Sequence, residues 1–246
     1  MAQKENTVFG IYPIQEALTS DIIIDKLFIQ KDNANPKIDA LLKLLEGSDT
    51  TVTYVPVEKL NRLTRGNHQG IVGITSPISF HSLEEVVEKS LAKKENPLFL
   101  VLDQISDVRN FGAIIRTAEC TGVDAVIIQK KGGAPVTGDT VKTSAGAIFK
   151  IPICKVDHIK DAIFYLQASN IETISATEKT SDSIYSLDLT KPIAIIMGSE
   201  GKGVSKSILN IVDYQAALPI KGQVNSLNVS VACGAFLYEV VRQRGL

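Results

Sequence analysis

The sequence predicts an α/β protein: a small α/β N-terminal domain followed by a parallel-sheet domain. From Leu98 onward, short continuous apolar runs alternate with helical stretches. Strands apolar on both faces belong to parallel sheets covered by helices on either side. Ahead of them lies a shorter alternation of strand and helix patterns, bounded by turn formers. A chain of 246 residues with 44% hydrophobic content suffices for one large or two modest domains with packed cores. We place a first domain at residues 1–76, a linker and leading helix at 77–97, and the second domain at 98–246.

In chain order, FGIYPIQEAL reads as a strand end, a turn and a short helix, and KLFIQ as a strand. NPKIDALLKLLEG is a helix stopped at Gly47, TVTYVPV a strand, VEKLNRL a helix and QGIVGIT a strand. Between the last two, Arg62 and the run Arg65 to Gln69 form a polar, basic, flexible stretch, either a plain solvated loop or an RNA contact. His68 alone indicates neither catalysis nor a metal. SPISFHSLEEVVEKSLAKKENP holds a charged helix between turn formers.

LFLVL, DAVIIQ, IPICKV, IETISA, IAIIMG and YQAALPI are the strands of the second domain. FGAIIRTAECTG, DHIKDAIFYLQAS and the C-terminal segment are its helices. In the last of these, Ala232, Cys233, Phe236, Leu237, Val240 and Val241 share one face, with Glu239, Arg242, Gln243 and Arg244 on the other.

Composition excludes several classes. The net charge of −1 rules against nucleic-acid binding by bulk charge, so any RNA partner must be held by local patches. No signal-like start or membrane-length apolar run occurs, so a cytoplasmic protein without membrane contact is expected. Cys120, Cys154 and Cys233 are odd in number and far apart, which suggests buried free thiols rather than disulfides or zinc. Three dispersed histidines indicate neither a metal site nor a hydrolytic triad. MGSEGKGVS is neither a phosphate-binding loop nor a nucleophile elbow, and no GxGxxG follows an early strand.

Ligands of parallel sheets bind beyond the carboxyl ends of the strands, and three polar loops fall there. In the first, Asn110 and Gly112 precede a helix carrying Arg116, whose neighbours Ile114, Ile115 and Ala118 make an apolar setting for a charge that needs partners when buried. Asn110 could simply cap that helix. The second holds Gly198, Gly201 and Gly203 around Glu200, and glycines let main chain approach a flat ligand closely. The third carries Gln223, Asn225, Ser226, Asn228 and Ser230 into the C-terminal helix. One cap suffices for a helix start, so the remaining polar groups suggest a ligand site.

NFGAIIRTA from Asn110, MGSEG from Met197, and LPI at Leu218 with SLNVS at Ser226 resemble the three ordered motifs of the SpoU family of RNA ribose 2′-O-methyltransferases. The resemblance spans residues 98 to 244. GIYPIQEAL and HQGIVG of the first domain resemble the substrate-binding extension, of L30e-like fold, found in bacterial members that methylate a guanosine of 23S rRNA. Val108-Arg109 departs from the pattern, standing where many members carry proline before the asparagine, and adds a cation there.

The resemblance implies a SPOUT domain with a C-terminal deep trefoil knot, working as a homodimer on S-adenosylmethionine without metal. It implies that Gly198, Leu218, Ile220 and Leu227, joined by Thr177, line the cofactor pocket. Arg116 would be the central catalytic residue, with Asn110, Glu200, Ser226 and Asn228 positioning it, the ribose or the phosphate. An always-protonated guanidinium fits a role as a charge better than one as a base. Arg62, Arg65, Arg109, Lys130, Lys131, Lys142, Lys202 and Lys221, in predicted loops, are the candidate RNA contacts. A transfer-RNA methyltransferase and a non-catalytic RNA-binding protein of the same fold are the alternatives.

Overall fold

Each half of the chain builds its own sheet. The computed structural model describes residues 6–245 apart from 21, 34, 46, 47, 49, 224 and 225. These fall into two compact units, residues 1–79 with 135–139 and residues 80–134 with 140–246. The excursion at 135–139 carries no sequence signal.

The first unit runs β1 (Thr7–Phe9), α1 (Ile11–Thr19), β2 (Ile24–Gln30), α2 (Pro36–Leu44), β3 (Thr51–Val55), α3 (Val57–Leu63) and β4 (Ile71–Thr75). The sheet order is β1-β4-β2-β3, with β2 and β3 parallel and β4 antiparallel to both its neighbours. Alternation along the strands divides the apolar residues between two faces. Leu27 and Ile29 pack with Ile14 of α1 and with Ile38 and Leu41 of α2, whereas Val55 and Val72 pack with Leu60 of α3. Asn35 caps α2, its side chain accepting from Lys37 N–H, and Pro36 begins the helix. Leu45 is the C-cap of α2, and the stop expected at Gly47 lies outside the described residues.

The stretch before β4, expected to be flexible, is instead tied by hydrogen bonds. Gln69 Oε1 accepts from Ile11 N–H at 3.0 Å, serving the start of α1. His68 Nδ1 accepts from Gly70 N–H while its Nε2 sits 3.0 Å from Asn61 Oδ1, which assigns the proton to Nε2. The histidine therefore organises a turn.

The chain continues with α4 (Leu83–Lys93), β5 (Leu98–Leu102), α5 (Val108–Cys120), β6 (Ala125–Gln129), α6 (Gly138–Thr143), β7 (Ile153–Val156), α7 (Ile159–Ala168), β8 (Glu172–Ala176), β9 (Ile193–Met197), α8 (Lys206–Leu209), β10 (Tyr214–Ala216) and α9 (Val229–Gln243). The six strands are all parallel in the order β10-β8-β9-β5-β6-β7. β5, at the centre, is buried throughout, which is why LFLVL shows no polar alternation. Phe99 and Val101 face the helices α4 and α7. Leu98, Leu100 and Leu102 point the other way, and α5 and α9 pack against each other.

Four expectations for this unit need correction. YQAALPI supplies only the three residues of β10, because beyond Ala217 the chain leaves the sheet. α5 begins two residues before Asn110 and is capped by Asp107, which accepts from the N–H groups of Arg109 and Asn110. Glu239 is 5% exposed rather than on the solvent face, because it accepts from Arg242 Nε and Nη2 and from Gln243 Nε2, and the paired guanidinium holds its carboxyl below the usual range. Cys154 and Cys233 are buried, with thiols pushed up to about 12 by desolvation, whereas Cys120 is exposed. No helix among the described residues is long and apolar enough to cross a membrane.

Candidate active site

Parallel strands turn all their carboxyl ends toward one edge of the sheet, and the polar loops of the second unit gather there. Thr177 and Glu178 follow β8, Gly198 to Gly201 and Gly203 follow β9, and Leu218 and Ile220 lie beyond β10. With Ser226, Leu227, Asn228, Ala232 and Phe236 from the approach and first turns of α9, they line a cavity of about 370 Å³. That size suits a small organic ligand. Ile220 and Leu227, 42% and 48% exposed, give it apolar walls.

Gly198 has a steric reason to be glycine. A Cβ there would come under 3.0 Å from Gly203 C and O and Val204 N, because Ser199 and Gly203 pair through two backbone hydrogen bonds of 3.2 and 2.9 Å. Gly201 and Gly203 take φ of 78° and 69°, which closes the turn around Glu200 and Lys202. The buried Asp103, following β5, accepts from Ser205 N–H at 2.8 Å and ties this turn down. Gly112 serves packing: a Cβ would strike Thr143.

At the rim, three separate segments meet. Glu200 Oε1 accepts from Asn110 Nδ2 at 2.5 Å and from Asn228 Nδ2 at 2.9 Å, and Asn228 Nδ2 also lies 3.1 Å from Asn110 Oδ1. The other atom of the Asn228 amide caps α9: Oδ1 accepts from the N–H groups of Ser230 and Val231 and from Ser230 Oγ. One side chain thus both starts the helix and holds the carboxylate, so capping and site formation are not alternatives here. Asn110 does not cap α5; its amide is spent on the cluster.

All five residues expected at the cofactor, Gly198, Leu218, Ile220, Leu227 and Thr177, line the cavity, as do Glu200, Ser226 and Asn228. Arg116 does not join them. It is exposed on α5 and makes no hydrogen bond or ion pair among the described residues, contrary to the apolar setting read from its neighbours in sequence. At helical spacing, Ile114, Ile115 and Ala118 turn inward while position 116 turns out.

Of the candidate RNA contacts, Arg65, Lys131, Lys202 and Lys221 are exposed outside the helices. Arg62, Arg109 and Lys142 are exposed too, but on α3, α5 and α6 rather than in loops. Lys130 is half-buried and paired with Asp157 at 3.3 Å.

Sequence reasoning missed Asp103, Asp107 and Glu178. The first and last stand at the carboxyl ends of strands, a position that could have singled them out. Glu178 and Glu200 are the only charged side chains among the described residues lining the cavity.

The chain matches the profile of the SpoU rRNA Methylase family over residues 97–238, and that for RNA 2′-O ribose methyltransferase substrate binding over residues 7–81. It is 31% identical over 244 residues to the putative TrmH family tRNA/rRNA methyltransferase YacO of Bacillus subtilis (strain 168), covering 99% of this chain and 98% of that one. The AdoMet-bound rRNA methyltransferase from Sinorhizobium meliloti superposes with a TM-score of 0.62 at 25% identity, over 96% of this chain and 86% of that one. The TrmH/SpoU tRNA modifying enzyme of A. aeolicus gives a TM-score of 0.57 at 30% identity, over 66% of this chain and 84% of that one. The three motifs that meet at the cavity all fall inside the first profile, and the chain belongs to the SpoU rRNA methylase family.

Proposed function

We propose that this chain transfers the methyl group of S-adenosylmethionine to a ribose 2′-hydroxyl of RNA, with a guanosine of 23S rRNA as the target. The carrying observation is the convergence of Asn110, Glu200 and Asn228 at the rim of a cavity walled by Leu218, Ile220 and Leu227. The lining fits the donor: apolar walls for a purine and, among the described residues, carboxylates with no cation for a sulfonium. When bound, the donor supplies an electrophilic methyl group. The residues of this chain must then orient the ribose in line and ease the loss of its proton.

In this reading, Asn110 and Asn228 fix the Glu200 carboxylate by occupying one of its oxygens, which leaves the other to accept from the ribose. Arg116, without a partner among the described residues, supplies a charge for phosphate and for the developing alkoxide. The first unit, with Arg62 and Arg65, holds the RNA substrate. Two copies assemble, for which Val231 and Tyr238, seven residues apart on α9 and each 57% exposed, offer an apolar stripe. The C-terminal knot and a cytoplasmic location belong to the same reading.

Ribosomal RNA is favoured because the likeness to the Sinorhizobium meliloti rRNA methyltransferase extends over both units, whereas that to the A. aeolicus tRNA modifying enzyme covers two thirds of the chain. Mapping ribose methylation in total RNA from cells with and without this gene tests it: one ribosomal guanosine should lose its methyl group, and a loss confined to tRNA would overturn the target. With purified protein, Arg116→Ala should abolish turnover while keeping cofactor affinity. Near-native turnover in Arg116→Lys would show that the guanidinium itself is not needed.

A further inference from the structure

We propose that Glu178 is a specificity-determining residue of the cavity, favouring the cationic sulfonium donor over the neutral thioether that remains after methyl transfer. This deepens the cofactor assignment above and rests on it. In the transfer the carbon–sulfur bond breaks, its electron pair stays on sulfur, the 2′-oxygen gains the methyl group and its proton passes to solvent water. The ligand in the cavity therefore loses one positive charge. A wall that carries negative charge attracts the first of these species more strongly than the second.

The wall here is negative. Its charged members among the described residues are Glu178 and Glu200. Glu200 is committed through one oxygen to Asn110 and Asn228. Glu178 makes no hydrogen bond or ion pair among the described residues, and it borders both the main cavity and an adjoining one that shares Leu218 and Ile220. The neighbouring lysine is engaged elsewhere on the same turn: Lys179 Nζ donates to the Lys202 carbonyl oxygen at 3.5 Å and makes no ion pair with Glu178 among the described residues. Glu178 Oε2 faces Gly203, at 3.9 Å from where a Cβ would stand, so the turn carrying Glu200 places no side chain at this point. A carboxylate at the mouth of the cavity without a counterion among the described residues has a natural partner in a cationic ligand.

Because Glu178 is exposed, the effect is modest and sensitive to salt. Calorimetric titration of the full chain with S-adenosylmethionine and with S-adenosylhomocysteine should show Glu178→Gln weakening the sulfonium by about three- to tenfold while leaving the thioether within about twofold. The preference of the unaltered chain should shrink near 1 M salt, where the Debye length falls to about 3 Å. Glu178→Asp, which keeps the charge, should retain the preference. Equal losses for both ligands in Glu178→Gln, or an unchanged preference, would overturn the inference while leaving the cofactor assignment standing. Uptake of neither ligand by the unaltered chain would overturn both.

Discussion

Replacing Gly198 by alanine presses directly on the turn that shapes the cavity. The added methyl would meet Gly203 C and O and Val204 N at under 3.0 Å. These are backbone atoms, so no rotamer change can relieve the contact, and the Ser199–Gly203 pair must separate. That forfeits two hydrogen bonds at about 0.5–1.5 kcal/mol each, on top of about 1–3 kcal/mol for overpacking. A loss of about 2–6 kcal/mol follows, read as a lower urea midpoint at unchanged slope for the second unit. Glu200 moves with the turn, so affinity for S-adenosylmethionine should fall by at least about tenfold, each tenfold being 1.4 kcal/mol. Gly222→Ala is the control: among the described residues nothing lies within 4 Å of its Cβ position, and stability should stay within about 0.5 kcal/mol. A Gly198→Ala chain with native midpoint and native affinity would refute the steric account of this turn.

Asn228→Asp separates the two uses of that side chain. A carboxylate still caps α9, so stability should change by less than the roughly 1 kcal/mol expected for Asn228→Ala, yet it faces Glu200 with like charge, and methyl transfer should drop by at least about a hundredfold. Burial raises the thiols of Cys154 and Cys233 to about 12, so the stability gained by keeping them neutral is whole below the unfolded value near 9 and is lost as pH rises toward 12. A denaturation series across that range checks it, and at neutral pH a thiol reagent should modify Cys120 well before the other two. Arg244 donates to the carbonyl oxygens of Asn96, Leu189 and Lys191 at 2.7, 3.0 and 2.8 Å, anchoring the far end of α9. Arg244→Ala should cost about 2–4 kcal/mol by denaturation, and Arg244→Lys should recover little, because an ammonium lacks the planar fork that reaches three acceptors.

Much of the fold was legible because its signals are local. An apolar run such as LFLVL reports a strand buried on both faces, and Asn35-Pro36 marks a helix start, whatever the rest of the chain does. The cavity-lining residues were legible through motifs, since Gly198, Leu218 and Leu227 lie in short stretches whose order along the chain is distinctive. Exposure was not legible at Arg116, where an apolar neighbourhood in sequence becomes an outward position once helical rotation is applied. Nor was it at Glu239, a carboxylate whose burial depends on Arg242 and Gln243 completing its hydrogen bonds.

By itself, then, the order of residues determined the alternation of strands and helices, and which short segments carry the chemistry, because periodicity and turn chemistry act over a few neighbouring residues. Only the tertiary structure decided that Asn110 and Asn228, far apart in the chain, both donate to Glu200, that Asp107 rather than Asn110 caps α5, and that Glu178 stands at the cavity mouth without an ion pair among the described residues. The reason is geometric: parallel strands bring all their carboxyl ends to one edge, and distance across that edge has no counterpart in distance along the sequence.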